Sequence, residues 1–228
     1  MSKRNRIIAF SVAIVLTFTL FALNGAEAVV PFSDVDNVPE KEKIISLQER
    51  GYVSGTGDNR FVPQARITAA ESIQLIVNSM GLNLNAVKFF KEPKATDYFS
   101  KADDDAWYAQ ALIIAAVNSM DLGRDIDLSQ EWTREKFTYY LTRTMENHYN
   151  LPMLNIKPAD IKDQELMTAE YSGAVQRAII YGIVSLDENG NFFPMDKITR
   201  AEAAEQVYNA LEYLKEHSVS NDNGGTVN

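Results

Sequence analysis

An internal repeat constrains this chain more than any other feature. The passage Asn59-Arg60-Phe61-Val62-Pro63-Gln64-Ala65-Arg66-Ile67-Thr68-Ala69-Ala70-Glu71 returns as Gly190-Asn191-Phe192-Phe193-Pro194-Met195-Asp196-Lys197-Ile198-Thr199-Arg200-Ala201-Glu202, 131 residues later. Phenylalanine, proline, isoleucine, threonine and glutamate all fall in register. The same offset lays Gly51-Tyr52-Val53-Ser54 on Gly182-Ile183-Val184-Ser185. About midway, Trp132-Thr133-Arg134-Glu135-Lys136 sets Thr133 65 residues after Thr68 and 66 before Thr199. Two separate blocks at one offset imply three copies of one structural unit.

Each copy reads as a pair of helices. Thr68-x-x-Glu71 and Thr199-x-x-Glu202 are capping boxes, in which the threonine hydroxyl takes an amide N–H and the glutamate reaches back to the threonine N–H. Ile73, Ile76, Val77 and Met80 then follow at helical spacing, as do Ala203, Val207, Ala210, Leu211 and Leu214. Upstream, a first helix is expected from about Trp107 to Met120 in the middle copy, with Ala111, Ile114, Ala115 and Asn118 on one face. A leading aspartate opens each unit: Asp34, Asp97 and Asp160. Polar turns at 54–57 and 187–190 join the helices. Trp132 stands where the other copies have isoleucine and is expected in the core. A helix pair cannot bury its apolar face alone. The fold class is therefore mainly α: three helix-pair repeats at 29–82, 95–149 and 158–215, packed around a shared core.

The ends are of another kind. Lys3, Arg4 and Arg6, an apolar run from Ile7 to Leu23, and Ala26-Glu27-Ala28 read as a signal peptide over 1–28, cleaved after Ala28. No later stretch is apolar enough to span a membrane. Residues 216–228 have little apolar content and are expected to form a disordered tail. The absence of cysteine excludes disulfides, thiolate chemistry and a lipoprotein anchor. The whole chain carries −9, and the mature part −11 once Lys3, Arg4, Arg6 and Glu27 are gone. Such a surface repels nucleic acid. It holds an anionic polymer only through a few placed cations.

A leading aspartate, a helix opened near Trp-Tyr, Phe-x-Pro, and Ile198-Thr199-Arg200-Ala201-Glu202 together resemble the S-layer homology repeat. The resemblance covers nearly all the mature chain, with the third copy nearest to the pattern and the middle one furthest. It implies a pseudo-threefold bundle with grooves between units. It further implies that these grooves bind a secondary cell-wall polysaccharide bearing an acidic, pyruvylated sugar, with the motif arginine on the carboxylate. The implied setting is the cell wall or cell surface of a Gram-positive bacterium. The implied role is a secreted, non-catalytic anchor without a cofactor, which can also meet other envelope proteins.

Within the motif, threonine and glutamate have capping duties and arginine does not. A cation at a helix N-terminus is disfavoured by the helix dipole unless an anion sits between them. Arg200 is the first candidate and Arg134 the second, although Lys136 breaks the second capping box. Ala69 removes the arginine from the first copy, and Arg66 is better read as a surface charge. Trp107 has two open roles, anchoring the middle unit's first helix or stacking on a sugar, with Asp105 beside it as a hydroxyl acceptor. The turn at 187–190 lacks a bidentate glutamate where a calcium loop needs one, so no metal site is assigned. His148 and His217 stand far apart, and no nucleophile or phosphate motif is present. A protein–protein scaffold that keeps this fold without binding glycan is the alternative.

Overall fold

The computed structural model describes residues 29–149, 151 and 157–217. The expected signal peptide, residues 218–228 of the expected tail, and residues 150 and 152–156 lie outside the described residues. Among the described residues there are seven α-helices and no strand: α1 Lys41–Glu49, α2 Ala69–Ser79, α3 Ala95–Tyr98, α4 Ala109–Val117, α5 Arg134–Tyr149, α6 Ala169–Ile180 and α7 Arg200–His217. A short 3-10 turn lies at Gln164–Leu166. Helix α7 includes Glu216 and His217, which the sequence assigned to the tail.

The capping boxes form as the sequence predicts. Glu71 N donates to Thr68 Oγ1 at 3.3 Å while Thr68 N donates to Glu71 Oε2 at 2.8 Å. Thr199 and Glu202 repeat this at 3.1 and 2.8 Å. At α5 only half survives, with Lys136 N donating to Thr133 Oγ1 at 3.4 Å. The carboxylate one residue earlier has another task. Buried Glu135 accepts from Thr168 N at 2.8 Å and from Thr168 Oγ1 at 2.6 Å, so it caps α6 from a different helix.

The three motif passages bond to one another in a closed ring. Ile67 N donates to Ile198 O, Ile198 N to Trp132 O, and Trp132 N to Ile67 O, at 3.1 to 3.3 Å. A helix cannot satisfy its own first amides. Here the neighbouring passage takes them: Arg200 N and Ala201 N donate to Ala65 O and Pro63 O, Arg134 N and Glu135 N to Asp196 O and Pro194 O, and Ala69 N and Ala70 N to Gln130 O and Leu128 O. Each second helix is thereby seated on another unit. Helices α2, α5 and α7 touch each other at the centre, and the outer helices pack as α1 on α7, α4 on α2 and α6 on α5. The close helix pairs thus join different units, where the sequence suggested pairs within one unit.

The apolar positions read from the second helices are all buried, and Trp132 is 1% exposed in the core. In α4 the buried face is Ala111, Leu112, Ile113 and Ala115, while Ile114 and Asn118 are half-buried.

Two aspartates fix the bend ahead of the ring. Asp34 accepts from Phe61 N at 2.8 Å and Val62 N at 2.9 Å; Asp163 accepts from Phe192 N at 2.9 Å and Phe193 N at 2.7 Å. Val62 and Phe193 sit at φ 58° and 57°, the left-handed region that side-chain-bearing residues avoid. The paired carboxylate bonds hold that strain. The third unit's clamp is therefore Asp163, three residues beyond the Asp160 expected from sequence. In the second unit Ser100 N bonds Arg124 O as Ser33 N bonds Asn59 O, which puts Lys101 where Asp34 and Asp163 stand. Asp97 instead accepts from Lys94 N at 3.0 Å and Lys91 Nζ at 2.9 Å, at the start of α3.

Candidate functional site

Arg200 opens α7, and the ring delivers it onto the first unit. Its Nε donates to Phe61 O at 2.8 Å and its Nη2 to Ser54 O at 3.0 Å. The guanidinium lies 4.7 Å above the Phe61 ring centroid. Nη1 is 3.8 Å from Glu71 Oε1, a loose ion pair beyond hydrogen-bond reach, while Oε2 of Glu71 caps Thr68. Two neutral carbonyls thus hold the cation, and its carboxylate neighbour Glu71 is only loosely paired with it. Burial pulls the Arg200 pKa down from its ordinary value, with Glu71 and Asp34 opposing.

Around this guanidinium is a groove of about 350 Å³. The turn from Gly51 to Thr56 forms one wall, Glu71, Gln74 and Asn78 of α2 form another, and Trp107 stands at the rim. Trp107 is 60% exposed. That excludes the core-anchor role open to it in the sequence and leaves an aromatic face beside the groove. Asp105 is exposed and outside the groove lining; its own N–H donates to Asp103 Oδ1 at 3.0 Å.

Arg134 opens α5 and reaches the third unit in the same way, but its surroundings differ. Its Nη1 is bonded to Glu202 Oε1 at 2.9 Å, and its guanidinium lies 5.4 Å from the Phe192 centroid. Its Nε is buried without a partner. The cavity here is about 100 Å³, lined in part by Ser185, Glu202, Glu205 and Asn209. These stand 131 residues after Ser54, Glu71, Gln74 and Asn78.

At the third position Ala69 opens α2 and is buried. Lys136 replaces the capping glutamate there, half-buried with its Nζ 5.4 Å from the Trp132 ring centroid. Burial, and secondarily Lys197, pushes the Lys136 pKa down. Arg66 donates to Lys197 O, so it is tied to backbone and does not replace the missing arginine.

Arg200 and Trp107 are thus brought to one groove, Arg134 to another, and Asp105 to neither. The sequence does not mark Ser54, Glu71, Gln74 and Asn78 as groove residues, although all four line it. The 131-residue offset carries a signal for three of them, since serine, glutamate and asparagine recur at their partners. Among the described residues no three His, Cys, Asp or Glu side chains are arranged to hold a metal ion, and no helix is long and apolar enough to cross a membrane.

The profile of the S-layer homology domain matches residues 31–71 and 160–204. Those two segments are S-layer homology repeats. The matched segments contain both aspartate clamps, both complete capping boxes and Arg200. Exoglucanase XynX of Acetivibrio thermocellus is 27% identical over 186 residues, covering 80% of this chain and 16% of the relative. Amylopullulanase of Thermoanaerobacterium thermosulfurigenes is 27% identical over 184 residues, covering 79% and 9%. An endoglucanase of Bacillus sp. (strain KSM-635) is 23% identical over 189 residues, covering 82% and 19%. The chain thus spans less than a fifth of each of these relatives. S-layer homology domains are binding modules that anchor proteins to the cell wall.

Proposed function

We propose that this chain is exported and held at the cell envelope by binding an acidic wall polysaccharide non-covalently in the groove at Arg200. The observation that carries this reading is the state of Arg200, fixed by two neutral carbonyls with its charge facing a groove. Preorganisation of this kind lowers the ordering cost of binding. A carboxylate arriving at Nη1 meets a planar donor matched to it. The volume, about 350 Å³, lies at the lower end of the range for small-ligand sites and suits one or two sugar rings. Gln74 and Asn78 supply amides for hydroxyl and acetamido groups, and Trp107 supplies an apolar face for a ring.

The remaining finer points belong to the same reading. The three units, with boundaries at 29–82, 95–149 and 158–215, form a pseudo-threefold bundle, a reading that the ring of passages supports. The preferred sugar bears a pyruvate ketal, as the resemblance to the S-layer homology repeat implies, with its carboxylate on Arg200. Other envelope proteins are candidate partners.

The test is co-sedimentation of residues 29–228 with purified wall sacculi, before and after chemical removal of the secondary polymer. Binding is expected to vanish with the polymer. It is also expected to fall at least about tenfold in Arg200→Ala, the scale of a charge-assisted hydrogen bond, and to change little in Arg134→Ala. Retention on stripped sacculi, or full retention by folded Arg200→Ala, overturns the reading and points to a protein partner.

A further inference from the structure

The two grooves share a plan and differ at one facing pair. Tyr52 N bonds Leu47 O at the end of α1, as Met120 N bonds Ala115 O at the end of α4. Counting four residues back from each carbonyl sets Lys43 of α1 against Ala111 of α4. Opposite them, Glu205 of α7 corresponds to Gln74 of α2, 131 residues apart. At the larger groove the corresponding pair is therefore Ala111, buried on α4, and Gln74, and of these Gln74 lines the groove of about 350 Å³. At Arg134 the corresponding pair is Lys43 and Glu205, bonded Nζ to Oε1 at 2.7 Å; Glu205 lines the cavity, and about 100 Å³ remains.

The charges separate the grooves in the same direction. Arg134 is neutralised at 2.9 Å by Glu202, whereas Arg200 stands 3.8 Å from the corresponding Glu71. Glu205 adds a second carboxylate where an anionic ligand would have to lie. The second groove nonetheless keeps what a ligand needs: the buried Arg134 Nε has no partner, and Ser185 and Asn209 repeat Ser54 and Asn78.

We propose that Lys43 and Glu205 determine which groove takes polymer: their ion pair closes a latent second site built on Arg134, so that the chain engages one acidic sugar terminus and not two. This rests on the polysaccharide reading above. The pair is a surface bridge with side chains 32% and 38% exposed, so it closes the groove through occupancy and charge sign more than through strength. Replacing both residues by their counterparts, Lys43→Ala with Glu205→Gln, converts the facing pair to that of the open groove.

The experiment titrates acidic oligosaccharides released from purified wall polymer into residues 29–228, and compares wild type with this double variant by calorimetry. Circular dichroism serves as the check on folding. Wild type is expected to bind one equivalent and the double variant two. In the double variant, adding Arg134→Ala is expected to return the count to one. A crystal structure of the double variant is expected to show the cavity at Arg134 enlarged about threefold toward that at Arg200. Two equivalents on wild type, or one on a folded double variant, overturn the proposal. An unenlarged cavity overturns it whatever the titration shows. No heat from any protein, with the cavity enlarged, overturns the polysaccharide reading and the ligand part of this one, while leaving the ion pair as what closes the groove.

Discussion

At the residue scale, the aspartate clamps do the most with the least. Burial raises the Asp34 pKa, but donation from Phe61 N and Val62 N, with Arg60 nearby, outweighs it and leaves the carboxyl below its ordinary 3.8. A lowered folded-state value means the charged form stabilises the fold. That stability is complete above the unfolded-state value and is lost as pH falls through the folded one. Asp34→Asn places an amide donor against two N–H donors and is expected to cost about 1–3 kcal/mol at pH 7. The deficit relative to wild type shrinks as the pH drops below 3.8. Urea unfolding at pH 7 and near pH 2.5 checks this, and a deficit independent of pH sinks the clamp's electrostatic account. The clamp was only partly legible in sequence. The sequence points to Asp34 in the first unit and, through Ala159-Asp160-Ile161, to Asp160 in the third, where the structure uses Asp163. The deciding bonds run to amides 29 and 30 residues away, which no local pattern displays.

At the scale of elements, the helix starts of α2 and α7 could be read to the residue because a capping box is a local device. Which helix packs on which could not, because it follows from amides bonded across units. The middle unit shows both sides of this. Lys136 announces a broken box, but nothing local says that Glu135 turns to cap α6. Glu135 is 2% exposed, and both its oxygens accept from Thr168. Glu135→Ala removes both acceptors of Thr168, an exposed residue at a part-buried junction, and is expected to destabilise by about 1–2 kcal/mol. Hydrogen exchange is the informative measurement. Protection is expected to fall first at the N-terminal turn of α6, while α2 keeps its own box and its protection. A loss spread evenly over all helices would show that Glu135 supports the core and not that one helix end. The middle unit also lacks the clamp, with Lys101 in its place. The segments that the family profile matches, in the first and third units, keep both devices.

At the scale of the molecule, the ring of passages makes the units interdependent. Amides at the start of every second helix are satisfied by another unit's carbonyls, and every outer helix packs on a central helix from another unit. A unit removed from the ring therefore exposes an apolar face and leaves first-turn amides unpaired in the helix it seated. Folding is expected to be all-or-none despite the repeats, unlike a linear array in which each repeat meets only its neighbours. The two tryptophans allow this to be measured at separate places. Trp132 lies at the ring itself, 1% exposed, while Trp107 stands at the groove rim, 60% exposed. Trp107→Phe leaves Trp132 as the sole tryptophan emitter. Its emission is expected to be blue-shifted in the native state and to move to longer wavelength at the same urea concentration at which ellipticity is lost. Coincidence of the two transitions means the ring and the helices come apart together. Loss of ellipticity ahead of the Trp132 shift would mean that some helices melt from an intact ring, and that the units are only loosely joined.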